Sequence, residues 1–180
     1  MKYSIYILTL VILVLNCGTS KFSLTGKERL DPSMGIVAFQ YELIDNEGKQ
    51  VAPNRWWNYA FFFIIGPSYL DIFIDRKKTN LGNYDEPYVV FQYPAGELPR
   101  DDTFKMEVYK FIFLAPARLA RAYFTKTNDK VIVEPNSILV LPKLQINIDR
   151  NFYKTVSDPQ ETEKVKEYVK HRFPHLLGGK

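Results

Sequence analysis

Tyr59 to Ile65 (Tyr-Ala-Phe-Phe-Phe-Ile-Ile) is an unbroken apolar run of seven residues that stops at Gly66-Pro67. A run this short, made of aromatic and β-branched types, cannot fill a buried helix and reads as a central strand. The surrounding sequence has the same character. Val37, Phe39, Tyr41 and Leu43 alternate with Ala38, Gln40 and Glu42, which is the period-two pattern of a half-buried strand. Asp45-Asn46-Glu47-Gly48 follows as a turn, with Gly48 free to take a positive φ.

Further short runs follow. Leu70, Ile72 and Ile74 alternate with Asp71, Phe73 and Asp75, and Tyr88 to Tyr93 has strand character up to the break at Pro94-Ala95-Gly96-Glu97. Phe104 to Leu114 is stopped by Ala115-Pro116, and Leu119 to Thr125 comes next. Thr127-Asn128-Asp129-Lys130 looks like a hairpin connection into Val131-Ile132-Val133, and Ile138 to Ile148 closes the set. Pro142 lies inside that last run and marks a bulge or an edge, because proline cannot donate to a ladder. Strands at short spacing, separated by turn residues, predict a mainly β fold: an antiparallel β-sandwich of about 7–9 strands.

One helix is expected, at the C-terminus. Ser157-Asp158-Pro159-Gln160-Glu161 combines a capping residue, a proline suited to the first helical position and early negative charge. Val165, Tyr168, Val169 and Phe173 recur at helical spacing, and Pro174 ends the segment, so a helix over about 158–173 is predicted. Its apolar stripe should pack on the sandwich, leaving Lys164, Glu167 and Lys170 in water.

The N-terminus carries a different signal. Met1-Lys2 is a short positive start, and Tyr3 to Leu15 is apolar except for Ser4 and Thr9. This falls short of the roughly 20 residues of a membrane-spanning helix and reads as an export signal. It ends at Cys17, the only cysteine of the chain. Val14-Leu15-Asn16-Cys17 resembles a bacterial lipobox, at which the signal is cut and the cysteine acylated. That resemblance implies residues 1–16 as signal peptide and Cys17 as a palmitate-bearing lipid anchor in the cell envelope. Gly18, in place of an aspartate, leaves export to the outer membrane of a double-membrane bacterium open. Residues 17–33 then form the lipidated cysteine and a tether, and 34–180 the folded domain.

Phe91 to Glu97, Val133 to Pro142 and Phe173-Pro174-His175-Leu176 resemble the turns, strand and helix end of a group of bacterial lipoproteins with a small prealbumin-like β-sandwich. The resemblance implies a fold and no catalytic residues.

Without its signal the chain keeps 164 of 180 residues, a normal size for one domain, and the formal charge drops from +4 to +3 with the loss of Lys2. No block of like charge is long enough to mark a nucleic-acid tail, and Arg76-Lys77-Lys78 reads as a solvated loop. Acylated Cys17 leaves no thiol for a disulfide, so stability must come from burial, supplied by an aromatic content of 15%.

The residue inventory offers little chemistry. His171 and His175 are the only histidines, and Pro174 separates them, so no metal site is expected. No Gly-x-Ser-x-Gly or phosphate-cradling loop is present, and no cofactor is implied. Asp101-Asp102 follows Pro99-Arg100 in a turn-like stretch and reads as a loop. The expectation is a non-enzymatic lipoprotein that binds an envelope component or an external macromolecule. An envelope glycan hydrolase using paired carboxylates is the alternative, and a purely structural assembly subunit is a third reading. Arg55, Trp56 and Trp57 are the candidate contact residues, because adjacent strand residues face opposite sides and only one Trp can enter the core. Phe62 poses the same problem against Phe61 and Phe63, for which cover by the C-terminal helix is expected.

Overall fold

The computed structural model describes residues 24, 30–51, 58–60, 63–74, 77–79, 87–98, 104–112, 115–123 and 130–176. Two sheets lie face to face, and one helix covers the outer side of the first, so the mainly β sandwich with a C-terminal helix is the fold observed.

The first sheet is built around β1 (Met34–Ile44). On one side β1 pairs antiparallel with β5 (Tyr88–Pro94), from Met34 opposite Pro94 to Gln40 opposite Tyr88. On the other it pairs in parallel with β10 (Ile138–Val140) and then β11 (Lys143–Asn147). β11 turns back antiparallel into β12 (Phe152–Val156). The sandwich is therefore mixed around β1 and not wholly antiparallel. A parallel pairing needs a long crossover, and here the whole second sheet lies between β1 and β10.

β10 and β11 are one strand broken by Pro142. Ile36 to Ala38 face Ile138 to Val140, but Tyr41 faces Leu144, so the β10–β11 side holds one extra residue. Leu141 N–H still reaches Ala38 O at 2.9 Å, while Pro142, with no N–H to satisfy, sits exposed at the bulge.

The second sheet runs β2 (Asn58–Ala60), β3 (Phe63–Ile74), β7 (Phe104–Ile112) and β8 (Ala115–Tyr123), with β4 (Lys77–Thr79) beside β3. Several expectations change here. The apolar run Tyr59–Ile65 is not one strand: Asn58–Ala60 folds back on Phe63–Ile65 as an antiparallel pair. An unbroken apolar run carries no phase from which such a reversal can be read. β3 also continues through Gly66-Pro67, with its register against β7 shifting between Ile65 and Ser68. Pro116 lies within β8, tolerated on the strand that ends the sheet order. Lys77 and Lys78 belong to a paired strand and not to a loop.

A third ladder joins β6 (Gly96–Glu97) to β9 (Ile132–Val133). β9 thus pairs with β6 and not, as a hairpin after Leu119–Thr125 would require, with β8. Gly96 makes the turn from β5 into β6 at φ 137°, a backbone region that favours glycine.

Between the sheets lies the main core. Val37, Phe39, Tyr41 and Leu43 of β1 point into it, as their alternation predicts, and meet Met106, Val108, Ala120 and Ala122 of the second sheet. Each large side chain removed from water here contributes about 1.5–3 kcal/mol. Helix α1 (Pro159–Arg172) lies on the opposite face of the first sheet, where Val165, Val169 and Phe173 pack on Ile36, Ala38 and Val90. Asp158 caps it by accepting from Gln160 N–H at 2.8 Å, and Lys164, Glu167 and Lys170 are exposed. The helix therefore seats on β1 and β10 rather than on the strand that carries Phe63. Leu30 is buried in the same cluster with Leu24 against it, so folded contacts reach back before Met34.

Candidate functional site: a basic and aromatic sheet face

Along β7, Met106 and Val108 face the core, so Lys105, Glu107 and Tyr109 fall on the outer face of the second sheet. β8 brings their partners. Tyr123 stands opposite Lys105, Arg121 opposite Glu107 and Arg118 opposite Tyr109, with Leu119 as the extra residue of a bulge between the last two pairs. Without that bulge Arg118 would take the parity of the core residue Ala120.

Glu107 is the centre of this group and is only 2% exposed. Its Oε1 lies 2.6 Å from Arg121 Nε, 3.4 Å from Arg118 and 3.4 Å from Lys105 Nζ. The Tyr109 hydroxyl donates to its Oε2. Burial alone would push this carboxyl up. The hydrogen bonds from Tyr109 and Arg121, with the charges of Lys105 and Arg121, outweigh burial and hold it below its ordinary value of 4.5. Arg121 also donates to the Tyr123 hydroxyl at 3.2 Å, which together with Glu107 raises its pKa.

Backbone register aligns three positions of β3 with this group. Asp71 of β3 pairs with Glu107, Tyr69 with Tyr109, and Phe73 with both Lys105 and Lys78. Among the side chains described, Lys105, Arg118 and Arg121 gather around Glu107 together with Tyr109 and Tyr123. Arg118 is the most open of these cations, with a side chain 46% exposed.

The outer face of the first sheet, beyond the start of α1, differs. Glu42 Oε2 accepts from Gln145 at 2.8 Å and Lys143 at 3.0 Å, which hold its carboxyl below the ordinary range. Phe152 in the next row is 60% exposed. At this end two loops are locked together: Asn147 donates to Asp45 O and accepts from Asp149 N–H and Arg150 N–H, while Asp149 accepts from Asn46 N–H.

Cys17, Arg55, Trp56 and Trp57 lie outside the described residues, as do Phe61, Phe62, Asp101 and Asp102. The Arg55–Trp57 segment leads directly into β2 at the end of the second sheet's strand order. His171 and His175 are exposed, on the last turn of α1 and just beyond it. Among the described residues no group of three or more His, Cys, Asp or Glu residues is placed to hold a metal ion, and no helix is long and apolar enough to cross a membrane. The Glu107 group escaped sequence reading; its one signal is the alternation of Lys105, Glu107 and Tyr109 with Met106 and Val108.

No protein-family model matches this chain, and no curated protein matches it in sequence. Among solved structures it is similar to a leucine-rich repeat protein from Bacteroides thetaiotaomicron, at 12% identity and a TM-score of 0.28. The match covers 77% of this chain and 16% of that protein.

Proposed function

We propose that this protein is a lipid-anchored lipoprotein of the bacterial cell envelope, in the outer membrane of a double-membrane bacterium, whose β-sandwich serves a non-catalytic binding or structural role. The observation that carries this reading is the position of Cys17, at the end of the apolar stretch and ahead of Leu30, the first buried residue among those described. Leu24 packs against the same cluster as Leu30 and lies seven residues after Cys17, a span of at most about 25 Å when extended, so an acylated Cys17 keeps the domain close to the membrane. Two or three acyl chains at roughly 0.8 kcal/mol per buried methylene hold the protein at the membrane, so the domain needs no membrane-binding surface of its own.

The hydrolase alternative requires a carboxyl that stays protonated near neutral pH to act as general acid. Glu107, the register partner of Asp71, is shifted the other way. Its three cationic neighbours suit a held carboxylate that organises a surface.

The test is labelled-palmitate incorporation and detergent-phase partitioning of the full chain and of Cys17→Ser in a bacterial host. Label and detergent partitioning should be lost in the variant; unchanged labelling would end the lipoprotein reading. Trp56→Ala and Trp57→Ala examine the contact segment separately. One variant should fold normally and bind its envelope partner more weakly, and unfolding of both removes the segment as a site.

A further inference from the structure

We infer that the last turn of α1 is a contact for an anionic phospholipid surface, on which Lys170, His171, Arg172 and His175 lie against the headgroups and set the orientation of the domain on its tether. The inference rests on the lipid-anchored reading above and adds which side of the sandwich faces the bilayer.

The direction of α1 is the first argument. The helix starts beside Gln40, where Asp158, Glu161 and Thr162 share a recess with Pro142. Its buried stripe then stays with Ala38, Ile36 and Leu30, in a cluster that takes in Phe173 and Leu176. Its 14 residues at about 1.5 Å each cover about 21 Å, close to the span of β1 from Gln40 back to Met34. α1 therefore runs opposite to β1, and its last turn lies toward the end of the sheet where the chain enters. Leu24 packs against the same cluster, seven residues after Cys17, so the tether leaves on the helix side of the first sheet.

Charge is the second argument. Asp158 to Glu167 holds four carboxylates and two lysines, whereas Tyr168 to Leu176 holds Lys170, Arg172 and two histidines and no acidic side chain. Lys164 and Lys166 are paired within the helix, with Glu161 and Glu163, each at 2.8 Å. Among the described residues Lys170 and Arg172 have no ion-pair partner, and both are exposed together with His171 and His175. Of the exposed carboxylates at this end of the sheet, Asp31 is engaged by the Ser33 N–H and hydroxyl. Glu134 belongs to the other side of the sheet, where its carbonyl faces Gly35. Two cations would not recruit a free protein. A domain already tethered needs far less, and at an anionic surface each cation favours the facing orientation about fivefold. These cations also complement the dipole of α1, but that effect is the same in water, so lipid charge separates the two roles.

The test is hydroxyl-radical footprinting of the full chain, reconstituted in phosphatidylcholine vesicles with and without phosphatidylglycerol. Oxidation of His171 and His175 is read by mass spectrometry against that of Phe152. Phe152 is 60% exposed and pairs with Asn147, itself opposite Ile44 at the far end of β1, so it serves as the reference. Phosphatidylglycerol should lower oxidation of the two histidines severalfold, and about 0.5 M salt should restore it. Both comparisons use the unsubstituted chain and do not depend on the stability of any variant. Lys170→Gln with Arg172→Gln should remove the difference between the two vesicles. Lys49→Gln with Lys154→Gln takes the same charge from the Phe152 end and should keep it. Equal histidine oxidation in both vesicles overturns the inference, as does protection that survives salt, protection kept by K170Q/R172Q, or protection of Phe152 instead. Palmitate labelling reads the anchor by itself. Labelled protein with unprotected histidines overturns this inference alone, and unlabelled protein removes its basis together with the anchor.

Discussion

Arg121 Nε stands 2.6 Å from Glu107 Oε1, and these two residues face each other directly across β7 and β8. The pair is lopsided: the Glu107 side chain is 3% exposed and that of Arg121 29%. The carboxylate bears the desolvation, and the cations around it keep part of their hydration.

That asymmetry sets the cost of removing the charge. Glu107→Gln leaves three cations without their counter-ion, and with those cations partly screened the loss of stability should be about 2 kcal/mol near neutral pH. The folded carboxyl titrates below its ordinary 4.5, so its contribution is complete above that value and disappears as the pH falls through the lower, folded one. Urea midpoints of the two proteins should therefore be well separated at pH 7 and converge on acidification below about pH 4.5. Glu42, also shifted down, is common to both and cancels in the difference. A gap that stays constant with pH would mean that Glu107 contributes through packing and not through its charge.

Gly35 allows a close passage of chain. A Cβ at this position would lie 2.5 Å from Glu134 O and 2.5 Å from Val133 Cγ1. Neither can retreat easily, because Val133 is paired to Gly96 in the β6–β9 ladder while Asn136 N–H and Ser137 O are bonded to Met34 and Ile36. Gly35→Ala should cost about 3 kcal/mol, as overpacking does at a rigid site. Thermal unfolding of the variant checks this, and an unchanged midpoint would show that the 133–136 segment yields freely.

How much of this was legible in the sequence depends on the range of each contact. Val37, Phe39, Tyr41 and Leu43 declared their inward face because period-two alternation is local, and Asp158-Pro159 declared a helix start because capping is local. The parallel partners of β1 were hidden, since nothing within a strand names a neighbour about a hundred positions away. The hairpin within Tyr59–Ile65 was hidden by uniformity, as every residue there is apolar. Glu107, Arg118 and Arg121 look like isolated charges along the chain. They converge only through a register that depends on one bulged residue, Leu119.

Helix α1 should depend on its buried stripe far more than on its surface pairs. Val169 is fully buried, and Val169→Ala should cost about 2 kcal/mol. Asp158→Ala removes the cap on Gln160 N–H and should cost about 1 kcal/mol. Lys166→Ala breaks a surface pair with Glu163 and should stay within about 0.5 kcal/mol. Urea unfolding of the three variants gives the order, and a Lys166 effect as large as that of Val169 would contradict it.

Gln40 is a polar residue with an incomplete environment. It lies on the outer face of β1 where α1 begins, in a recess shared with Pro142, Asp158 and Thr162. Its Oε1 is buried and accepts no hydrogen bond from the protein. An acceptor left dry costs about 1–3 kcal/mol, whereas an apolar side chain of similar length has no such cost. Gln40→Met should therefore leave stability unchanged or raise it by about 1 kcal/mol. The recess, about 10 Å³, is at the lower limit for one water, which would need donors and acceptors from the same lining residues. A loss of more than about 1 kcal/mol in Gln40→Met would place a bound water on Oε1, because only a satisfied acceptor has a hydrogen bond to lose.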